Sequence, residues 1–233
     1  MSVDYDELWR ETWGGMQDIG PVHRHVARIL VETVRPLGVR SVIDVGCGNG
    51  ANLAALQGAL RIDDVTGIDI SPEALAVAQK RVRGTFRVVD LANPAAIDRA
   101  YDLVLSSQVI EHLEDDDAFL ARLRAICGGY CFVGTMQGRM RKSEVHIGHL
   151  RNYTRRGLEE KMRQAGFGIE RVIAWGFPFY SPIYRSLIEY IGGQTAQLGY
   201  GRKERVIASA LYQLYRLNRS THGDVLMILG KAD

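Results

Sequence analysis

Residues Ser41 to Leu56 read SVIDVGCGNGANLAAL: an apolar run, a turn with glycine at 46, 48 and 50, then a segment of helical composition. The same alternation continues for about a hundred residues. Strand-like runs are SVIDV, DVTGIDI, TFRVVD, YDLVLSS and GGYCFVGTM, with helix-like NGANLAALQGAL, SPEALAVAQKRV and DDDAFLARLRAI between them. Strands separated by helices of this length form right-handed βαβ units and a parallel sheet. Ser71 is a suitable N-cap with Pro72 in the first turn, and Glu73 and Glu114 to Asp117 place acid near helix starts.

The flanks differ from this pattern. Residues 1–38 read as helical, with Val22, Val26, Ile29, Leu30 and Val34 at helical spacing. After Gln137 come a basic loop, a helix (RRGLEEKMRQAGF), a strand (GIERVIAW) and about forty residues rich in Tyr, Phe, Gly and Arg. A last strand, DVLMILGKA, is expected to return antiparallel beside its predecessor. The expected fold is therefore α/β: a Rossmann-like, doubly wound, mostly parallel seven-stranded sheet with an antiparallel last strand. Its units are an N-terminal helical lid (1–38), a core (39–177 and 223–233) and an insertion (178–222) that binds substrate or dimerises.

A chain of 233 residues with 46% apolar and 24% charged residues has the balance of a soluble globule. A net charge of +2 gives no global nucleic-acid signature. No stretch approaches the roughly 20 apolar residues of a membrane span, and MSVDYDELW lacks the basic start of a signal peptide. The three cysteines, Cys47, Cys127 and Cys131, form no CxxC pair, so a reducing cytoplasm is expected.

Three loops share the form of the glycine turn: a Walker phosphate loop, a dinucleotide loop and an S-adenosylmethionine loop. No Gly-Lys-Ser/Thr follows, which removes the first. Gly46, Gly48 and Ala51 fit GxGxxA, and Asp69 lies about twenty residues on, as a ribose ligand should. Asp44 weighs against a dinucleotide, because a carboxylate beside a pyrophosphate is repelled and beside an ammonium or sulfonium is attracted. With Asp90 after the third strand, three acids meet at strand ends, where open α/β sheets hold their ligands. They suit a cation that carries a ribose and an adenine, as S-adenosylmethionine does.

In order and spacing, VIDVGCGNG, VTGIDIS, VVDLA and YDLVLSSQVIEHL resemble the motifs of class I S-adenosylmethionine-dependent methyltransferases, over roughly residues 25–177 and the last strand. The resemblance implies that the backbone of Gly46, Cys47 and Gly48 packs on the methionine moiety. It also implies that Asp69, with Ile70 beside it, holds the ribose, that Asp90 and Leu91 flank the adenine, and that Ser107 lines the pocket. Tyr5, Trp9 and Trp13 suggest a lid, and Arg24 a partner for the cofactor carboxylate.

Gln108, Glu111 and His112 would share one face of a helix beyond the fourth strand, and His146 and His149 lie in the loop after the fifth. This region resembles two groups, the O-methyltransferases of the ubiquinone pathway and the small-RNA 2′-O-methyltransferases. In both, Glu-x-x-Glu-His and a distant histidine hold a divalent ion. Glu111, His112 and His149 match, whereas Gln108 replaces the first glutamate and is a weaker ligand for a hard cation. The metal therefore stays open beside a general-base role for His112 or His149. Phe177, Phe179, Tyr180, Tyr184 and Tyr190 could line an acceptor pocket. Leu211, Leu214, Tyr215 and Leu217 share a helical face expected to be core.

No Asn-Pro-Pro-Tyr follows the fourth strand, which disfavours amino methylation of adenine. The expected acceptor is a small-molecule hydroxyl (sugar, sugar nucleotide, phenol or secondary metabolite), with no nucleic acid, no membrane span and a homodimer as the candidate assembly. The alternatives are an RNA 2′-O-methyltransferase with a divalent metal, suggested by the Glu111, His112 and His149 resemblance and by Arg139, Arg141, Arg151, Arg155 and Arg156, and a cofactor-binding module without turnover. A nicotinamide-dependent oxidoreductase is a distant fourth.

Overall fold

A computed structural model describes residues 14–90, 97, 99–190 and 201–232. Tyr5, Trp9, Trp13 and Leu91 lie outside these residues. The strands are β1 (Ser41–Val45), β2 (Asp64–Asp69), β3 (Thr85–Val88), β4 (Tyr101–Ser107), β5 (Cys127–Met136), β6 (Phe167–Trp175) and β7 (Val225–Ala232). They form one sheet in the order β3-β2-β1-β4-β5-β7-β6. β1 through β5 pair in parallel, and β7 enters antiparallel between β5 and β6. The last strand thus lies beside its predecessor, as expected.

The helices are α1 (Gly14–Ile19), α2 (Pro21–Val34), α3 (Ala51–Ala59), α4 (Pro72–Arg81), α5 (Asp116–Ala125), α6 (Lys142–His146), α7 (Arg155–Gln164), α8 (Arg185–Tyr190) and α9 (Arg202–Tyr215). Local chemistry sets several starts. Ser71 Oγ accepts from the Ala74 amide at 3.2 Å, Asp115 from Ala118 at 2.9 Å and Thr154 from Gly157 at 3.0 Å. Each satisfies an amide that the first helical turn leaves without a partner.

Strand residues alternate between two cores. Val42, Leu103, Leu105 and Phe132 pack with Ile29 and Leu30 of α2 and Leu53 and Leu56 of α3. Ile43, Val45, Val104 and Val133 pack with Phe119, Leu120 and Leu123 of α5 and Leu158 and Met162 of α7. Each such side chain, fully buried, contributes about 1.5–3 kcal/mol, so the sheet is fixed from both faces.

Two expectations are corrected. Gln108 is not helical: its φ is 61°, its amide donates to Gly134 O at 2.8 Å, and only Ile110–His112 coil, as a single 3₁₀ turn. The sheet ladder claims the amide that a helix would have used. On α9 the buried residues are Ala208 and Tyr215, whereas Leu214, and Leu217 just beyond the helix end, are exposed and form no core. The space beneath α9 is filled with rings: Tyr215 meets Trp175 edge-on at 6.3 Å and Tyr180 at 5.8 Å.

Candidate active site

The chain leaves β1 toward β2 on one side and returns to β4 on the other, so the crevice between the ends of β1 and β4 is the switch point where such sheets bind ligands. Gly46 sits there with φ 82°, and a Cβ at that position would collide with the Val109 side chain. Only glycine accepts both the backbone angle and that close approach.

Asp44 is 1% exposed, and neither carboxylate oxygen has a hydrogen-bond partner. Burial, and then the Asp69 carboxylate, push its pKa well above the ordinary carboxyl range. A buried acid without donors is costly, and a cationic ligand in the crevice removes that cost. Cys47 lies beside it as a buried thiol, its pKa raised first by burial and then by the two aspartates, so it is no nucleophile.

The amides of the turn are already used. Gly46 and Cys47 donate to Ile68 O at 2.8 and 3.0 Å, Gly48 to Asp69 Oδ2 at 2.8 Å, Gly50 to Cys47 O at 3.0 Å and Ala51 to Asn49 Oδ1 at 3.2 Å. A pyrophosphate site needs such amides turned outward. Here they are turned inward, which argues against a dinucleotide and fits a ligand that meets the turn through its shape and positive charge. Asp69 also accepts from the Ser71 amide at 3.0 Å. A carboxylate oxygen can accept more than one hydrogen bond, so holding the turn does not exclude accepting from ribose hydroxyls.

Sequence reasoning missed a second layer over the turn. Asp18 of α1 accepts from Arg81 Nη2 at 2.7 Å and from Asn49 Nδ2 at 3.3 Å, and Asn49 Oδ1 accepts from Arg81 Nη1 at 3.0 Å. This network ties α1 and α4 to the glycine turn. Asn49, inside the motif, was the one visible signal.

Beyond β4 the 3₁₀ turn buries Glu111 completely. Thr135 Oγ1 donates to its Oε2 at 2.9 Å, while Oε1 has no partner. Burial dominates and pushes the Glu111 carboxyl up to about 7. His112 Nδ1 lies 3.2 Å from Gly148 O, and the Leu150 amide donates to Glu111 O at 2.9 Å, which folds the loop after β5 back over this turn. His149 thereby meets His112 at 4.7 Å between ring centroids. One ligand atom from each of Glu111, His112 and His149 lies within 4.8 Å of the others. Burial holds both histidines down to about 4, so both are neutral imidazoles near pH 7. His149 Nδ1 is buried without a partner.

Behind this cluster, Glu144 accepts from the Arg141 amide at 2.8 Å, from Asn152 Nδ2 at 3.0 Å and from Arg185, which also pairs with Asp224. Tyr180 and Tyr184 join Trp175 and Tyr215 in the ring cluster, whereas Phe177 and Tyr190 are exposed. The other expected residues are dispersed. Asp90 is exposed beyond the end of β3, Ile70 is exposed beside Asp69, and Ser107 is half-buried at the end of β4. His146 ends α6 apart from the cluster, and Arg24 stacks over Tyr212 of α9 at 4.0 Å instead of reaching the turn.

Comparisons with known proteins agree with this fold. Residues 43–128 match the family model described as a methyltransferase domain. A ubiquinone biosynthesis O-methyltransferase of Thiobacillus denitrificans is 30% identical over 142 residues, covering 57% of this chain and 60% of that protein. An uncharacterised methyltransferase of Mycobacterium tuberculosis is 35% identical over 97 residues, covering 40% of this chain and 48% of that one. The chain thus spans between about half and three-fifths of these relatives. Among solved structures, a Haloferax volcanii chain in complex with the Trm112 methyltransferase activator superposes with a TM-score of 0.67 at 21% identity, covering 100% of this chain and 99% of that one.

Proposed function

Because the chain belongs to the class I S-adenosylmethionine-dependent methyltransferases, we propose that it moves the methyl group of S-adenosylmethionine onto a hydroxyl of a small-molecule acceptor. The acceptor oxygen attacks the methyl carbon in line with the sulfur. A C–O bond forms, the S–C bond breaks with its electron pair left on sulfur, and the hydroxyl proton is released to water. The products are the methyl ether and S-adenosylhomocysteine. Asp44 and Asp69 orient the donor at the switch point. The sulfonium is already electrophilic, so positioning and exclusion of water supply most of the acceleration.

The observation that carries the choice of a hydroxyl is the convergence of Glu111, His112 and His149. One carboxylate and two neutral imidazoles, with Glu111 Oε1 and His149 Nδ1 buried and unpartnered, fit a divalent cation of the manganese-to-zinc series. A cation held there would lower the pKa of the acceptor hydroxyl and fix its oxygen. The same burial argues against either histidine as the principal base, since an imidazole near 4 has little affinity for the proton. The O-methyltransferase relative supports oxygen as the acceptor atom.

The RNA reading loses the support of the arginines, one of its two grounds. Arg139 and Arg141 pair with Glu189, Arg151 with Asp116, Arg155 with Glu159 and Arg156 with Glu160. Each is engaged with an acid of the protein, though Arg139 and Arg141 share Glu189, and this engagement weakens their claim on a phosphate backbone.

The test is turnover of S-adenosylmethionine with a panel of phenols, sugars and sugar nucleotides, read as S-adenosylhomocysteine by mass spectrometry. EDTA, with Mn²⁺, Co²⁺ or Zn²⁺ added back, forms a second arm. Turnover with a hydroxyl acceptor, lost in EDTA and restored by a cation, is expected. Full activity in EDTA refutes the cation, and cofactor binding without turnover of any acceptor refutes the enzyme.

A further inference from the structure

Helix α9 is apolar on the side turned away from the protein. Ala208 and Tyr215 face inward, whereas Val206, Ile207, Ala210, Leu214 and Leu217 are exposed, at 65% for Val206, 59% for Ile207 and 67% for Leu217. Steps of three and four residues place Val206, Ile207, Ala210 and Leu214 along one stripe, and Leu217 follows in the turn after the helix ends. Just before it in the chain, Ile183, Leu187 and Tyr190 repeat the spacing, with Leu187 and Tyr190 on α8, and all three are exposed. The Tyr184 ring meets Tyr215 edge-on at 5.9 Å, so this second stripe begins beside α9. Single exposed apolar residues are ordinary, but contiguous stripes mark an interaction surface.

Charge selects the occupant. Arg202, Lys203 and Arg205 stand against Glu204 on α9, and Arg216 and Arg219 follow its end. On the helical projection Arg202 borders one side of the stripe, Lys203 stands at its N-terminal end, and Arg216 follows its C-terminal end. A second copy docking through the same stripe would bring two basic borders together, which is repulsive. Anionic headgroups over acyl chains complement both the border and the stripe. We propose that α9, with α8 beside it, is an interfacial surface that seats the protein on an anionic lipid bilayer. The helix lies in the headgroup plane: among the described residues no helix is long and apolar enough to cross a membrane. This inference stands on the outer face of α9 and is independent of the methyl-transfer reading.

The experiment uses the full chain and two kinds of vesicle, phosphatidylcholine alone and phosphatidylcholine with phosphatidylglycerol, read by flotation. Three proteins are compared: the unaltered chain, I207Q/L214Q and R202Q/K203Q. The altered side chains are solvent-exposed, and unchanged melting temperature and circular dichroism verify the fold. The unaltered chain should float with the anionic vesicles, by on the order of tenfold more than with neutral ones, and 0.5 M salt should weaken this. Each double variant should lose on the order of tenfold of that binding. No flotation with anionic vesicles overturns the proposal, as does equal flotation of all three proteins. A dimer by light scattering that I207Q/L214Q dissociates overturns it too, in favour of a second copy.

Discussion

Asp44→Asn should move stability and ligand binding in opposite directions. In the ligand-free protein Asp44 is a buried acid without a donor to either oxygen, and Asp69 repels it. Asparagine keeps the shape and removes the charge, sparing about 1–3 kcal/mol, the scale of an unmet buried polar group. For a chain of this size that is a rise in Tm on the order of 5 °C. The pH dependence follows from the direction of the shift. A carboxyl whose folded pKa is raised contributes stability that is present below the ordinary carboxyl range and is lost as pH rises toward the folded value. The variant and the unaltered protein should therefore melt together near pH 4 and diverge by pH 8, the variant being higher. Binding reverses the order. A hydrogen bond to a charged group is worth about 1.5–3 kcal/mol, so the variant should bind the donor roughly ten- to a hundredfold more weakly. Thermal melts across pH and calorimetry with S-adenosylmethionine and S-adenosylhomocysteine read both effects. Equal losses for the two ligands place Asp44 against the ammonium they share, and a loss for the donor alone places it against the sulfonium. A variant less stable at pH 8, or one that binds both ligands as tightly as before, refutes the reasoning.

Other substitutions probe the acceptor side. His149→Ala or Glu111→Gln should lower kcat by about 10²–10⁴ while calorimetry finds S-adenosylhomocysteine affinity within a few fold, and should abolish any Mn²⁺-induced rise in Tm. Arg185→Met leaves Glu144 as a buried, uncompensated charge and should cost about 3–5 kcal/mol by urea denaturation. Gln108→Gly, at φ 61°, should raise stability by about 1 kcal/mol in the same assay, and Gln108→Val should lower it by more.

What the sequence disclosed depended on how local the determining forces are. The glycine turn, Asp44 and Asp69 at the ends of β1 and β2, and the Ser71 cap are decided within a few residues, and each is found where spacing alone put it, whereas Asp90 lies exposed beyond the end of β3. The Gln108–His112 segment is decided elsewhere. Its i, i+3, i+4 spacing suits a helix, but Gly134 takes the Gln108 amide into the sheet and leaves room for a single 3₁₀ turn. Glu111 and His112 still meet His149, because the Leu150 amide and Gly148 carbonyl fold the later loop onto that turn. The expected residues converged through contacts that periodicity does not encode. The basic run divides along the same line: Arg155 and Arg156 meet acids one turn ahead in their own helix, which spacing reveals, whereas Glu189 is brought to Arg139 and Arg141 only by the tertiary fold. On α9, periodicity finds a stripe but is silent on which side of the helix the protein occupies. Tyr215 turns inward because Trp175 and Tyr180 offer its ring edge-on and tilted aromatic contacts. That choice turns the leucines outward, and the surface proposed to meet lipid is a consequence of where the aromatic rings pack.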